Sequence, residues 1–222
     1  MATRHEEKYI INYLQYLEIR NRTAGIFMRD RNGEEGSYII NSLYYDDHMD
    51  TALLEKLDGL PEHSKFRVRC YDYSDRVVRL ERKDKHGILT EKCSADIARE
   101  QIGLLGKESL GEESSRAYGL TVQMQTAGLI PVIAVRYKRE AFVYAPADLR
   151  ITFDTNIEAI RPDMEALFDP GISGVPVLEG NSVIMEIKYS NYLPGFVRKL
   201  TSVGGKQLSF SKYALCRERF IT

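Results

Sequence analysis

Basic side chains recur on every second residue in two neighbouring segments of this chain. The first segment reads Lys65-Phe66-Arg67-Val68-Arg69-Cys70. The second places four charged residues on one strand face, Arg79, Glu81, Lys83 and Lys85. Because strand side chains alternate with period 2, each segment forms a ladder of charges roughly 7 Å apart. Like charges on one face repel unless solvent or an anion lies between them. The two ladders therefore predict a ligand with several negative charges in a row, of the polyphosphate type.

Further segments repeat this alternation of charged and apolar residues. They contain Arg4, Glu6 and Lys8; Arg150, Thr152 and Asp154; Glu186 and Lys188; and Ser211 with Lys212, beside Lys206. A single strand of this kind is usually half-buried with its charged face in water. When most strands of one domain share the pattern, convergence of the charged faces on an interior is favoured, and buried charges there need an ion or ligand. Glutamates among the cations suit Mg²⁺ or Mn²⁺, which takes carboxylate and phosphate oxygens together.

Composition narrows the class of ligand and the cellular compartment. The 222 residues contain 31 Lys and Arg against 32 Asp and Glu, a net charge of −1. A protein that coats nucleic acid usually has a broad basic excess, so we expect no nucleic-acid partner. The three cysteines, Cys70, Cys93 and Cys216, lack metal-ligand spacing and indicate free thiols in a reducing compartment. No signal peptide or membrane segment is evident, so we expect a cytoplasmic protein with, at most, a separately encoded membrane partner.

The remaining pattern predicts one α+β domain over residues 1–222, built on an antiparallel sheet or barrel. Strands are predicted at about Arg4–Ile10, Ser37–Tyr45, Ser64–Tyr73, Arg76–Asp84, Ile88–Cys93, Val132–Tyr144, Leu149–Asp154 and Ser182–Tyr189. Helices or helical turns are predicted at Tyr13–Arg20, Asp46–Lys56, Ala95–Leu105, Arg116–Ala127, Asp163–Phe168, Pro194 to about Val203, and Ser211–Arg219. Candidate helix N-caps are Asn12, Ser94, and Ser114 or Ser115.

Eight short motifs, in order from Arg4 to about Tyr213, resemble the VTC (vacuolar transporter chaperone) polyphosphate polymerase domain. They are Arg4-x-Glu6-x-Lys8-Tyr9, Ser42-Leu43-Tyr44-Tyr45-Asp46, Lys65-x-Arg67-x-Arg69-x-Tyr71, Leu80-Glu81-x-Lys83, Tyr137-x-Arg139-x-Ala141-Phe142, Arg150-Ile151-x-Phe153-Asp154, Met185-Glu186-Ile187-Lys188 and Phe210-Ser211-Lys212-Tyr213. That domain belongs to the triphosphate tunnel metalloenzyme, or CYTH-like, superfamily. The resemblance implies a closed antiparallel β-barrel of about eight strands with helices in the connections, forming a tunnel lined by Lys and Arg.

The resemblance also implies roles for individual residues. The matching phosphate ligands are Lys8, Arg67, Arg69, Lys83, Arg139, Arg150, Lys188 and Lys212. Further candidates for phosphate binding are Lys65, Lys85, Lys92, Lys206 and Ser211. Glu186 matches the metal-binding glutamate for Mn²⁺ or Mg²⁺, with Glu6 and Glu81 as possible supporting carboxylates. The eukaryotic motif Lys-Phe-Ser-Lys here reads Ser209-Phe210-Ser211-Lys212, so one cation is absent.

Alternation and motif disagree for one strand. Alternation places Arg136, Lys138 and Glu140 on one face and Arg139 on the other, with Val135. The motif favours Arg139 as the phosphate ligand, whereas the pattern of charges favours Arg136 and Lys138. Both assignments stay open at the level of sequence.

The resemblance implies that ATP and polyphosphate are the ligands, and that the γ-phosphate of ATP passes to a growing polyphosphate chain. An ionised phosphate acceptor needs no general base, so the lack of a histidine-based dyad is consistent with this chemistry. One alternative is a triphosphatase, in which Glu6 or Glu81 would activate water. The other is a non-catalytic module that binds polyphosphate or a similar polyanion.

Overall fold

The structure is a computed structural model of the chain. It describes residues 4–30, 36–87, 89–113, 115–202 and 210–221. Its ten strands are β1 (Arg4–Ile11), β2 (Met28–Arg29), β3 (Ser37–Asp46), β4 (Glu62–Tyr71), β5 (Ser74–His86), β6 (Leu89–Ile97), β7 (Ile130–Tyr144), β8 (Leu149–Ile160), β9 (Val175–Pro176) and β10 (Val183–Ser190). Its five α-helices are α1 (Tyr13–Ala24), α2 (Thr51–Leu57), α3 (Arg116–Thr126), α4 (Gly195–Leu200) and α5 (Lys212–Ile221).

The strands form one ten-stranded sheet that is open, so the prediction of a closed barrel is wrong. Eight strands follow the order β1-β10-β8-β7-β3-β4-β5-β6, while β2 pairs with β7 and β9 pairs with β8. Within the described residues, β1 and β6 end this order and do not pair with each other. The alternation in the sequence reports which face of a strand is polar, but it contains no information on whether terminal strands pair. Exposed charged residues such as Glu91 and Lys92 on β6 are typical of an edge strand. The α+β class is confirmed.

Contacts between residues divide the chain into two compact units. The first unit comprises residues 1–39, 137–157 and 178–210, and the second comprises 40–136, 158–177 and 211–222. Each unit has its own apolar core. In the first unit, Phe142, Phe153 and Met185 are fully buried with Ile151 and Ile187. Burial of each such side chain stabilises the fold by about 1.5–3 kcal/mol. The strand residues that alternate with them carry the charges, so this core fixes one charged face.

The second unit buries the apolar partners of the first predicted ladder. Val68, Cys70 and Leu80 are 0% exposed and lie in a core that includes Leu120 and Met124 of α3. Since these residues point to one side of β4 and β5, the intervening Lys and Arg side chains point to the other. The two alternating segments are therefore adjacent antiparallel strands, as predicted.

Several local predictions are confirmed by hydrogen bonds. The Asn12 side chain accepts a hydrogen bond from the Gln15 amide at 2.9 Å and caps α1. The Ser115 hydroxyl accepts one from the Tyr118 amide at 3.1 Å and caps α3. Each cap satisfies a backbone donor that the first helical turn leaves without a partner. None of the helices that the structure describes has the length and apolar character needed to cross a bilayer.

The predicted helix Ala95–Leu105 with a Ser94 cap is wrong. Strand β6 continues to Ile97 because Ala95 and Ile97 pair in register with Leu80 and Val78 of β5. Only Arg99–Leu104 is helical, as a 3₁₀ turn. The apolar residues that suggested a helix belong partly to a strand, because tertiary pairing overrides a short helical periodicity.

Candidate functional site

Strand register in the first unit places opposite charges directly across from each other. On β1 and β10, Glu6 is opposite Lys188 and Lys8 is opposite Glu186. Such cross-strand pairs of opposite charge stabilise a sheet. Antiparallel pairing of β10 with β8 then sets Glu186 opposite Thr152 and Lys188 opposite Arg150. The three strands thus present one charged face, on the side away from the apolar core.

Glu186 is the centre of this face, and it is largely buried. Its Oε2 atom lies 3.6 Å from a terminal nitrogen of Arg139 and 3.6 Å from the Lys188 ammonium. Lys188 also lies 3.1 Å from the Glu6 carboxylate, and Lys8 lies 3.7 Å from Glu6. We call these residues, with Asp154, the Glu186 cluster. Three carboxylates and three cations therefore alternate in it, and a lysine ammonium connects the Glu6 and Glu186 carboxylates.

Arg139 is fixed in this cluster by a second carboxylate. Its Nε and a terminal nitrogen donate to the two oxygens of Asp154 at 2.6 and 2.7 Å, a bidentate pair. Asp154 is 0% exposed. Burial by itself lowers the pKa of Arg139, but Asp154, Tyr137 and Glu186 together outweigh burial and hold that pKa well above its usual value. The guanidinium is therefore a permanent charge in a fixed orientation beside Glu186.

The other charged residues of the disputed strand have surroundings that differ from those of Arg139. Arg136, in the second unit, donates to the Asn41 side chain and to the backbone oxygens of Ala166, Asp169 and Ile172. It holds a loop. Within the first unit, Lys138 and Glu140 lie on the strand face opposite to that of Arg139. The motif and the pattern of charges predicted different phosphate ligands on this strand. Arg139, the residue that the motif favours, is the one that contacts Glu186.

Arg150 and Lys8 occupy the margin of the same face. A terminal nitrogen of Arg150 donates to Asp30 at 2.5 Å and to the Tyr38 hydroxyl at 3.0 Å. Lys8 donates to the Phe210 backbone oxygen at 3.3 Å. Because Arg150 is opposite Lys188 in register, the Asp30 carboxylate offsets the repulsion between these two cations.

The second unit contains a buried glutamate with a different set of neighbours. Arg67 contacts Glu81 through Nε and a terminal nitrogen, each at 2.7 Å, and Arg69 approaches it to 4.0 Å. The Lys92 ammonium pairs with the other carboxylate oxygen. Burial raises the pKa of Glu81, but the three cations outweigh burial and lower it to about 2. We call Arg67, Arg69, Glu81 and Lys92 the Glu81 cluster, in which one carboxylate orients three cations.

Lys92 of the Glu81 cluster is also the end of a row of three lysines that lie side by side. Lys65 of β4, Lys83 of β5 and Lys92 of β6 are direct partners across the sheet. Like charges in directly opposed positions repel, and a chain of phosphates along this row would offset that repulsion. Lys85 follows Lys83 on the same face of β5, opposite His63. The unit thus offers a row of cations along β5 and a second row across three strands.

The start of α5 contributes the last predicted residues. Ser211 caps this helix, because its hydroxyl accepts a hydrogen bond from the Ala214 amide at 3.1 Å. Lys65 donates to the same hydroxyl at 3.4 Å and lies 5.3 Å from the centre of the Tyr213 ring. Lys212, the first residue of the helix, is 9% exposed. The candidate Lys206 lies outside the described residues.

The residues present are compatible with a metal ion that also binds substrate. In the part of the chain that the structure describes, no three His, Cys, Asp or Glu side chains are grouped to hold a metal by themselves. Mg²⁺ and Mn²⁺ commonly use one or two carboxylates and complete their coordination with water and substrate phosphate. Glu186 and Glu6, connected through Lys188, supply two such carboxylates. Glu81 is held instead by three cations.

Sequence reasoning missed the residues that orient these charges. Asp154 was predicted only as part of an alternating segment and a motif, and Ser42 only as part of a motif, yet Asp154 fixes Arg139 and Ser42 accepts a hydrogen bond from Arg69 at 3.3 Å. The Tyr44 hydroxyl accepts one from Arg67 at 3.0 Å. Their position could have indicated this role, because each is a polar residue on a strand that neighbours a charged strand. The partner of each depends on register, which the sequence does not give.

Comparison with known proteins identifies the family. The chain matches the model of the VTC domain over residues 3–221, nearly its whole length, and it belongs to that family. The family predicted from the eight motifs is therefore confirmed. None of the curated proteins matches the chain.

Two solved structures resemble this fold. One is a protein from Pyrococcus horikoshii, with 15% identity over 97% of this chain and 99% of that chain and a TM-score of 0.52. The other is a proposed adenylate cyclase from Bacillus halodurans, with 12% identity over 99% of this chain and 100% of that chain and a TM-score of 0.54. At these identities the likeness concerns the fold alone, and it is consistent with a CYTH-like fold.

Proposed function

We propose that this protein is an ATP-dependent polyphosphate polymerase. The observation that carries the proposal is the row of Lys65, Lys83 and Lys92 across three strands, next to Arg67 and Arg69. Such a row matches the regular spacing of charge along a chain of phosphates, which charge-assisted hydrogen bonds would hold. Membership of the VTC family supports a substrate of this class.

We assign the two clusters different roles. The Glu81 cluster, with Lys65 and Lys83, binds phosphate groups, because its cations exceed its single carboxylate. In the Glu186 cluster, Glu186 would hold Mn²⁺ or Mg²⁺, with support from Glu6. When bound, that ion would neutralise charge on phosphate oxygens and help to position them. Arg139 and Lys188, next to Glu186, are the cations best placed to contact the phosphates at the same location.

For this reaction the protein must position the phosphate groups and stabilise the charge on the phosphoryl group during transfer. A terminal oxygen of the polyphosphate acceptor attacks the γ-phosphorus of ATP, and the bond from that phosphorus to the bridging β–γ oxygen breaks. ADP leaves, and the acceptor becomes one phosphate longer. The acceptor oxygen is already ionised at neutral pH, so no side chain must remove a proton. The Lys and Arg side chains stabilise the charge that spreads over the transferred phosphoryl group.

The environment of Glu81 argues against hydrolysis through this residue. A general base for water works best when its pKa lies near the operating pH. Three cations hold the pKa of Glu81 at about 2, so it accepts protons poorly at neutral pH. We therefore assign Glu81 to the orientation of Arg67 and Arg69. A separately encoded membrane partner and a cytoplasmic location stay predictions.

Product analysis tests the proposal. Purified protein is incubated with ATP and Mn²⁺, with and without a chelator and a short polyphosphate primer, and the products are separated on a gel that resolves polyphosphate from orthophosphate. We expect a metal-dependent ladder of growing chains together with ADP. Release of orthophosphate without polyphosphate chains would show that the protein is a triphosphatase and not a polymerase. Tight binding of ATP or polyphosphate without either product would indicate a binding module.

A further inference from the structure

A polar pocket lies within the first unit, away from the Glu186 cluster. Its volume is about 540 Å³. Helix α1, strand β2 and strand β7 line it, through Arg20, Arg29, Lys138 and Glu140. Lys138 and Glu140 flank Arg139 in the sequence, so they lie on the opposite face of β7 from the Glu186 cluster. Nothing in the proposed reaction uses this pocket.

Glu140 organises the pocket. Its carboxylate is 7% exposed and accepts hydrogen bonds from the Tyr16 hydroxyl at 3.0 Å and from Arg20 Nε at 2.7 Å, both on the same oxygen. A terminal nitrogen of Arg29 lies 3.4 Å from the other oxygen. One buried carboxylate thereby holds two guanidinium groups from different elements in fixed positions. Fixed donors bind an anion with less loss of side-chain entropy than mobile ones.

The pocket has more donors and positive charge than Glu140 can satisfy. Three cations against one carboxylate give its lining a formal charge of +2. Within the described residues, the Arg20 side chain has Glu140 and the Tyr16 hydroxyl as partners, whereas neither the Lys138 ammonium nor the Ser37 hydroxyl has a hydrogen-bond partner. The excess of donors is the composition expected of an anion site.

We propose that this pocket binds a phosphate-class dianion, at a site separate from the two charged clusters. The ligand is free orthophosphate or a phosphate group carried by a small organic molecule. Arg20 and Arg29 present their donors from positions that Glu140 fixes, while Lys138 and Ser37 contribute from β7 and β3. The inference does not depend on polymerase activity, because it concerns binding on the other face of β7.

Backbone amide NMR of the intact chain separates this site from the clusters. Orthophosphate is titrated in one series and adenosine monophosphate in another, each at constant ionic strength. Amide signals of Ser37 and Lys138 report the pocket, and those of Glu186 and Lys188 report the Glu186 cluster. We expect saturable shifts at Ser37 and Lys138. Stronger binding in the adenosine monophosphate series would identify an organic phosphate as the ligand, and equal or weaker binding would identify orthophosphate.

Two variants test the assignment without disturbing Glu140. Lys138→Met removes a cation of the lining, whereas Lys199→Met removes an exposed cation of α4 in the same unit and serves as the matched control. We expect Lys138→Met to weaken binding at the pocket about three- to fivefold, the effect of one solvent-exposed charge, and Lys199→Met to leave it unchanged. Shifts confined to Glu186 and Lys188, no saturable shift, or equal effects of the two variants would overturn the proposal. The product gel is independent of these outcomes.

Discussion

The Glu81 and Glu186 clusters both place a buried glutamate among cations, but their charge balance differs. Around Glu81 one carboxylate serves Arg67, Arg69 and Lys92. Around Glu186 two more carboxylates, Glu6 and Asp154, compensate the cations. In the proposed function, the first cluster binds phosphate groups and the second holds a metal ion. The same alternating strand pattern can thus produce two different charge balances, because the balance depends on which residues the neighbouring strands place opposite each glutamate.

The largest effect is expected from breaking the buried pair that holds the Glu186 cluster. Arg139→Met leaves the Asp154 carboxylate, which is 0% exposed, without its bidentate partner. Removing one partner of a buried ion pair destabilises a fold by about 3–5 kcal/mol. Urea unfolding measures this change. Lys138→Met, at the exposed neighbouring position, is the control. A loss below about 1 kcal/mol would show that Arg139 does not neutralise Asp154.

The comparison is sharpened by removing the carboxylate of the Glu81 cluster. Glu81→Gln leaves three cations without their counter-ion, so we expect a loss of about 2 kcal/mol in the free energy of unfolding. Added pyrophosphate should recover much of this loss, because the anion replaces the missing charge. Thermal unfolding with and without pyrophosphate measures both effects. Destabilisation without recovery would contradict an anion site at this cluster.

The pH dependence of stability follows from the same carboxylate. The pKa of Glu81 is lowered from 4.5 to about 2 in the folded state. Its charge therefore stabilises the fold fully above about pH 4.5, and this contribution disappears as the pH falls toward 2. The difference in unfolding free energy between the wild type and Glu81→Gln should shrink over that window. A constant difference between pH 6 and pH 2.5 would contradict the assignment of the lowered pKa to Arg67, Arg69 and Lys92.

A smaller effect is expected from the row of three lysines. Lys83→Met removes the central cation between Lys65 and Lys92, so we expect about tenfold weaker binding of tripolyphosphate. The same change relieves repulsion and should leave the stability of the unliganded protein equal or slightly higher. Calorimetric titration and thermal unfolding test the two parts. Lys107→Met, exposed in the same unit, should change neither. Unchanged affinity after Lys83→Met would remove this row from the site.

The smallest effect concerns a buried hydroxyl beside Glu186. Thr152 is 2% exposed, and its Oγ1 has no hydrogen-bond partner within the described residues. Thr152→Val removes that hydroxyl at nearly constant volume, so we expect a gain of up to about 1 kcal/mol in the free energy of unfolding. Thr152→Ser, which keeps the hydroxyl, should show no gain. Chemical denaturation of both variants measures the free energy of unfolding. A clear loss of stability in the valine variant would show that the hydroxyl has a structural partner.

Alternation along single strands was enough to predict the charged faces, and the motif order was enough to predict the family. Asn12 and Ser115 were predictable as caps because capping is local. The opposition of Lys65, Lys83 and Lys92, and the pairing of Arg139 with Asp154, were not predictable because both depend on the register between neighbouring strands, which the alternation within a single strand does not specify. The prediction of a closed barrel was wrong for a related reason, since no local pattern specifies whether β1 pairs with β6. Roles in phosphate and metal binding stay predictions.

Binding of Mn²⁺ to matched variants tests the division between the clusters most directly. Electron paramagnetic resonance measures free Mn²⁺ during titration of the wild type, Glu186→Gln and Glu81→Gln, each with a non-hydrolysable ATP analogue. Each substitution removes one carboxylate charge, so their overall electrostatic effects are matched. The account predicts that Glu186→Gln weakens Mn²⁺ binding at least tenfold, whereas Glu81→Gln leaves it within about twofold. Equal losses in both variants, or a larger loss in Glu81→Gln, would contradict it.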